Sequence, residues 1–137
     1  MGKKAYIVGG ALLALLLIVV VLMAYGPSEV QLTAADNGST VELESGQVLS
    51  ITLEANPTTG YTWEVVEPLD GQVMRQVGEI EFIPNRQESG IVGAGGVQII
   101  RFECVNAGQT VLKLVYHRPW ETDVEPLETF SIPVVAR

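Results

Sequence analysis

Apolar and polar residues alternate at every second position along much of this chain, and that period limits the folds open to it. In the run Val48–Glu54, Leu49, Ile51 and Leu53 fall on one face of an extended strand. This pattern is typical of a strand with one buried face. Comparable short runs occur at Val30–Thr33, Val41–Glu44, Thr62–Val66, Ile80–Ile83, Ile100–Cys104, Leu112–Tyr116 and Phe130–Val135. No window in residues 28–137 favours an amphipathic helix, so the pattern predicts an all-β domain.

The number of strands and the turns between them narrow the architecture. About seven or eight short strands within residues 28–137 fit an immunoglobulin-like β-sandwich. Asn37-Gly38 is a hairpin-type signal, and this turn role explains the Asn37 glycosylation sequon better than modification does. Glu44–Gln47 and Asn106–Gln109 predict tight turns, and Pro84–Gly96 predicts a long, mobile loop. Trp63 stands early in its strand and is expected in the core.

The first 27 residues differ from the rest of the chain. Lys3 and Lys4 precede an uncharged, mostly apolar run from Ala5 to Tyr25. As a helix this run would measure about 32 Å, enough to cross a bilayer core of about 30 Å. The two lysines favour an N-in, C-out orientation. The alternative is a cleaved signal peptide with a site near Ala24-Tyr25-Gly26, which the length of the run and Pro27 disfavour.

We therefore expect a signal anchor or signal peptide in residues 1–27 and one folded domain in residues 28–137. In either case the domain is exported. We expect it to be anchored in the cell membrane with the C-terminal domain outside, and otherwise to be secreted or periplasmic.

The charge balance excludes some classes of partner. Residues 28–137 hold all 16 acidic residues and all but two of the eight basic ones. Such a domain has no basic surface to neutralise nucleic-acid phosphates or to hold anionic lipid. The acidity keeps an exported domain soluble but identifies no partner.

Cysteine and histidine offer little chemistry. Cys104 is the single cysteine, so no intrachain disulfide can form, and its apolar run predicts a buried, inert thiol. A nucleophilic pair with His117, the single histidine, is the alternative. His117 lacks a ligand cluster, so neither a metal nor a cofactor is expected.

Three short segments outside the strand pattern combine proline or glycine with side chains suited to contact. The first consists of Asn56, Pro57, Thr58, Thr59, Gly60 and Tyr61. Pro57 fixes its own φ and restricts Asn56 to extended geometry. Gly60 permits a positive φ, and the threonines have stiff χ1 angles. We expect a narrow, rigid tip that enters a cleft with little loss of entropy; an ordinary connecting turn is the alternative.

The other two segments are Gly93, Ala94, Gly95 and Gly96, and then Arg118, Pro119 and Trp120. The glycine segment lacks the lysine and spacing of a phosphate loop and precedes a strand. We interpret it as backbone able to lie against another chain, with a flexible loop as the alternative. Trp and Arg are enriched at interface hot spots. Because no segment contains an acid–base pair, the three together predict a binding surface.

In this order, each after a strand, the three segments resemble the loops of the chagasin-like family of cysteine peptidase inhibitors. The resemblance extends from Val30 to the C-terminus. It implies an immunoglobulin-like fold whose three loops enter the active-site cleft of a papain-like cysteine peptidase. Thr58 would lie over the target's catalytic groups, and Gly93–Gly96 along the unprimed side. Trp120 would pack on the primed side with Arg118 in support.

The leading hypothesis from the sequence is therefore a monomeric, reversible and competitive inhibitor of papain-like cysteine peptidases. A membrane-anchored immunoglobulin-like adhesion or envelope-binding module is the alternative, although it does not explain the three segments. An enzyme would require Cys104 and His117 to form a dyad, so we expect none.

Overall fold

Eight β-strands in two sheets make up the domain in the computed structural model, which describes residues 28–66, 70–85 and 95–137. The strands are β1 Glu29–Thr33, β2 Val41–Leu43, β3 Val48–Ala55, β4 Thr62–Val65, β5 Met74–Pro84, β6 Gly96–Cys104, β7 Gly108–His117 and β8 Glu128–Ala136. The helices of the described residues are two single 3₁₀ turns, Ala34–Asp36 and Pro57–Thr59. The all-β prediction and the expected number of strands are confirmed.

Each sheet has four strands. One sheet has the order β1-β3-β6-β5 and the other β2-β8-β7-β4. The pairs β1–β3 and β2–β8 are parallel, and the remaining neighbours are antiparallel. Following the chain, each of the first five strands lies in the opposite sheet from the one before it, and the chain changes sheet once more between β6 and β7.

The hairpin predicted at Asn37-Gly38 is wrong, because β1 and β2 belong to different sheets. Gly38 does have the positive φ of such a turn, 84°. The Asn37 side chain attaches the connection between β1 and β2 to strand β8. Its Nδ2 atom donates to the Thr129 carbonyl at 3.1 Å, and its Oδ1 atom accepts from the Ser131 amide at 2.9 Å. Asn37-Gly38 therefore forms a turn, as its residues indicate, but this turn connects two sheets and not two neighbouring strands.

The inward-facing residues of both sheets form one core. Burial alternates along β6, where Gly96, Gln98, Ile100, Phe102 and Cys104 are buried and their neighbours are half-exposed. Trp63 is buried as predicted, with 3% of its surface exposed. Cys104 is also buried as predicted, and burial raises the pKa of its thiol.

β5 is longer than its sequence pattern indicated. Alternation predicted a strand at Ile80–Ile83, whereas β5 begins at Met74. A shift in register between Val77 and Glu81 divides it, and Gly78 lies there with φ 69°. The bulge interrupts the period-two pattern, which explains the missed half.

The structure confirms one predicted turn and leaves two other predicted features mainly outside its described residues. The tight turn at Glu44–Gln47 is confirmed, since the Gln47 amide donates to the Glu44 carbonyl at 3.0 Å. Pro84 and Gly96 belong to strands, and the predicted loop between them falls mainly in residues 86–94, outside the described part. The predicted anchor Ala5–Tyr25 also lies outside it. Across residues 28–66, 70–85 and 95–137, no helix has the length and apolarity needed to span a membrane.

Candidate functional site

The described parts of the three predicted segments converge at one end of the sandwich. Loop 1 is Asn56–Tyr61, between β3 and β4; loop 2 connects β5 to β6; loop 3 is Arg118–Leu127, between β7 and β8. The strand register brings these loops together, since Ala55 pairs with Gly96 and Thr62 pairs with His117. Gly93 and Ala94 of loop 2 lie outside the described residues, whereas Gly95 is described.

Loop 1 is a closed turn. Pro57–Thr59 forms a single 3₁₀ turn, which begins on proline and ends on Gly60 with φ 85°. The Asn56 Oδ1 atom accepts from the Thr58 amide at 3.3 Å and from its hydroxyl at 2.5 Å. The Thr59 hydroxyl donates to the Asn56 carbonyl at 2.5 Å. Both threonine hydroxyls are therefore bonded inside the turn, and these bonds restrict the conformations of the tip.

Tyr116 of β7 supports the start of loop 1. Its hydroxyl accepts a hydrogen bond from the Asn56 amide at 2.8 Å, and only 8% of the residue is exposed. Its ring stacks on Trp63 at 5.2 Å and lies 5.3 Å from Tyr61. Sequence reasoning assigned Tyr116 only to the apolar face of a strand. The sequence did contain a signal, because Tyr116 is an inward-facing tyrosine directly before His117, the last residue of the strand. That signal did not identify the Asn56 amide as the partner of the hydroxyl.

Arg118 is directed towards loop 1. Its Nε atom donates to the Thr59 carbonyl at 3.0 Å, and its guanidinium lies 4.5 Å from the centroid of the Tyr61 ring. Its Nη1 atom lies 3.5 Å from Glu121. The arginine thus has three partners within the protein itself.

Trp120 forms the exposed part of loop 3. It is 67% exposed, the highest value among the large hydrophobic residues of the described part of the chain. Its indole also lies against Gly60, where an added Cβ would stand 2.3 Å from Cη2. Val124 and Leu127, in the same loop, are 60% and 61% exposed. Loops 1 and 3 therefore share one continuous surface with an apolar projection.

The described glycines of the second segment, Gly95 in loop 2 and Gly96 at the start of β6, lie where the backbone is closely packed. A Cβ at Gly96 would stand 2.1 Å from the Ile83 carbonyl oxygen, and one at Gly95 would stand 3.1 Å from the Ala55 carbonyl oxygen. The Asn85 amide donates to the Gly95 carbonyl at 3.1 Å. Loops 1 and 2 border a groove of about 370 Å³. Gly96 therefore allows β5 and β6 to lie close together, and Gly95 lies close to the end of β3.

The proposed dyad does not exist. Cys104 ends β6, whereas His117 ends β7 in the other sheet, about 30 Å from the start of that strand at roughly 3.3 Å per residue. His117 instead lies 2.5 Å from the Glu64 carboxylate on the neighbouring strand. Within the ranges that the structure describes, no group of three or more metal-binding side chains is present. Burial raises the pKa of the Cys104 thiol, which disfavours the nucleophilic thiolate.

This protein is thus an immunoglobulin-like β-sandwich whose loops meet at one end, which is the architecture of a binding protein. A sequence model described as "Chagasin family peptidase inhibitor I42" matches residues 42–134. The chain therefore belongs to the chagasin family of cysteine peptidase inhibitors, and the predicted resemblance is confirmed.

Individual relatives agree with this assignment. The chain is 34% identical to amoebiasin-2 of Entamoeba histolytica over 106 residues, covering 77% of this chain and 84% of the relative. It is 30% identical to chagasin of Trypanosoma cruzi, covering 74% and 93%. The structure of a cysteine protease inhibitor from Entamoeba histolytica matches with a TM-score of 0.70 and 29% identity, covering 82% and 100%. The family is described as one of peptidase inhibitors and the matched structure is that of a cysteine protease inhibitor, so the expectation that the chain is not an enzyme is confirmed.

Proposed function

We propose that this chain inhibits papain-like cysteine peptidases reversibly and competitively by inserting its loop end into their active-site cleft. The observation that supports this most is the joined surface of loops 1 and 3. Trp120 rests on Gly60 there and remains 67% exposed. An exposed tryptophan fixed on a rigid turn has the chemistry of an interface hot spot.

Loop 1 is the part that enters the cleft. Its internal hydrogen bonds hold Thr58 and Thr59 in a 3₁₀ turn before any partner binds. Little loop entropy is then lost on binding, which favours affinity without new contacts. In this arrangement Thr58 lies over the target's catalytic cysteine and histidine. Loop 2, with Gly93–Gly96, follows the unprimed side, and Trp120 packs on the primed side.

Reversible inhibition follows from the chemistry of the described residues. The Cys104 thiol is buried at the opposite end of β6 from loop 2, so it cannot form a mixed disulfide with a target cysteine at the loops. The threonine hydroxyls of loop 1 are engaged in the turn. Affinity therefore depends on shape and apolar burial. The inhibitor binds as a monomer, and an interface of standard size would bury about 1,600 Å² of accessible surface in total.

The test is a titration of papain with the full chain in detergent micelles. We expect the apparent KM to rise with inhibitor concentration while kcat stays constant. Trp120→Ala should raise the inhibition constant by about 30-fold, because a hot-spot tryptophan is worth about 2 kcal/mol or more. Val111→Ala is the matched control, since Val111 is also an exposed apolar residue, at 53%, and lies in the middle of β7. Absence of inhibition at micromolar concentration would contradict the proposal.

The proposal extends to the N-terminal segment. Ala5–Tyr25 anchors the protein in the cell membrane and places residues 28–137 outside, because Lys3 and Lys4 precede it. After cleavage the domain would instead be secreted or periplasmic. Cell fractionation with protease added outside intact cells tests this. We expect the full-length chain in the membrane fraction and digestion of its domain. A soluble mature chain that begins near Ser28 would refute the anchor.

A further inference from the structure

We propose that Tyr116 and Arg118 are positioning residues that hold loop 1 at its two ends, so that the inhibitory surface exists before a target binds. This inference rests on the proposed function for its effect on inhibition. Its structural part concerns the free protein alone. Neither residue needs to contact the target for this role.

Tyr116 holds the first residue of loop 1. Its hydroxyl accepts from the Asn56 amide at 2.8 Å, one residue beyond the last paired residue of β3. The ring itself cannot move freely, because it stacks on buried Trp63 with only 19° between the planes. Tyr116 is also paired in the sheet with Glu128 of β8. The hydroxyl is therefore a fixed acceptor that belongs to the core.

Arg118 holds the far end of the same loop. Its Nε–H donates to the Thr59 carbonyl at 3.0 Å, just before the left-handed Gly60. The guanidinium lies 4.5 Å from the centre of the Tyr61 ring, a distance at which the cation and the ring attract each other. A guanidinium can donate and stack at once because it is planar; a lysine ammonium cannot do both in this way.

These contacts form one stack that leads from loop 3 into the core. Arg118 lies over Tyr61, Tyr61 contacts Tyr116, and Tyr116 stacks on Trp63. Loop 1 is bonded to this stack at Asn56 and at Thr59, and its own turn bonds connect the two points.

The stack gives Arg118 a role that differs from direct target contact. Its Nε donor and its flat face are directed to Thr59 and Tyr61, its Nη1 atom is directed to Glu121 of loop 3, and Tyr116 is nearly buried. A substitution at either position should therefore act through the order of loop 1. Such an effect appears mainly in the dissociation rate, because a loosely held loop leaves the cleft more easily.

The experiment compares the full-chain wild type with Tyr116→Phe, which removes only the hydroxyl. Amide hydrogen exchange of the free protein reports the order of loop 1 at Asn56, Thr58, Thr59 and Gly60. We expect these amides to exchange about three- to tenfold faster in the variant. Papain inhibition should weaken by a similar factor through faster dissociation, as the loss of one hydrogen bond implies. Arg118→Lys, which keeps the charge, should show the same two effects.

Ile132→Val is the control for a loss of stability alone. Ile132 is fully buried in the middle of β8, far along the strand from the loops. Its substitution should lower global stability and leave both readings unchanged. Unchanged exchange at the loop 1 amides in Tyr116→Phe would overturn the inference, and so would faster exchange with an unchanged inhibition constant. If the wild type fails to inhibit papain, the proposed function fails, while the exchange measurement still decides whether Tyr116 and Arg118 hold the loop.

Discussion

Gly60→Ala should separate the backbone role of this glycine from its contact with Trp120. Gly60 has φ 85°, a left-handed conformation that costs an ordinary L-residue about 1–2 kcal/mol. The new Cβ would also stand 2.3 Å from the Trp120 Cη2 atom. Because Trp120 is largely exposed, its ring can turn away at little cost to folding. We therefore expect a loss of stability of about 1–2 kcal/mol from the backbone and a displaced indole.

Gly38→Ala provides the matched control for the backbone term. Gly38 has nearly the same φ, 84°, and an added Cβ there meets nothing within 4 Å. Both variants should lose similar stability in urea denaturation. Only Gly60→Ala should weaken inhibition of papain. The expected loss lies between about threefold and the 30-fold of a lost hot-spot tryptophan.

A double-mutant cycle then assigns the effect to the contact. In a Trp120→Ala background, Gly60→Ala should cause little further loss of inhibition, because no indole remains to displace. Inhibition by Gly60→Ala equal to that of Gly38→Ala would refute the reasoning. A full loss that persists without Trp120 would also refute it, since the effect would then arise in loop 1 itself.

Two further predictions concern stability. Gly96→Ala should destabilise the domain by about 1–3 kcal/mol in urea denaturation, because the new Cβ would stand 2.1 Å from the Ile83 carbonyl oxygen. Gly71→Ala is the control and should not destabilise it, because an added Cβ there meets nothing within 4 Å. Equal effects of the two substitutions would contradict this prediction. Burial raises the pKa of the Cys104 thiol, so the folded state keeps this proton more tightly than the unfolded state. Stability should then fall as the pH rises above the ordinary thiol value of 9.0, and Cys104→Ala should lessen that fall; identical pH profiles would contradict it.

Strand positions were the most predictable part of the fold. Period-two alternation located at least part of each of the eight strands, and it was clearest in strands such as β3 and β6, which place one face on the core. The same signal failed at the first half of β5, where Gly78 lies in a bulge and the alternation breaks. Sheet order could not be predicted from local pattern. Asn37-Gly38 has the turn chemistry of a hairpin, but only the packing of β1 and β2 into separate sheets shows that it connects them.

Loop 1 was predictable in its local shape because proline and glycine fix its backbone. Pro57 begins the turn and Gly60 ends it, as their φ preferences require. The support from Tyr116 was not predictable, since 60 residues separate it from Asn56 and alternation shows only that its ring faces inward. Likewise the partners of Arg118 depend on how loops 1 and 3 meet. No spacing in the sequence encodes that contact.

The three motifs therefore differ in what they indicate. Gly96 is explained by backbone packing against Ile83, and Gly95 lies close to the Ala55 carbonyl oxygen, so the fold itself favours glycine in the described half of the motif. Arg118 is likewise engaged within the protein. Trp120 is different, because no requirement of the fold explains a tryptophan that is 67% exposed. A residue whose exposure the fold does not require is stronger evidence for a partner than a glycine that the fold does require, so Trp120 is the position at which the proposed function is tested most directly.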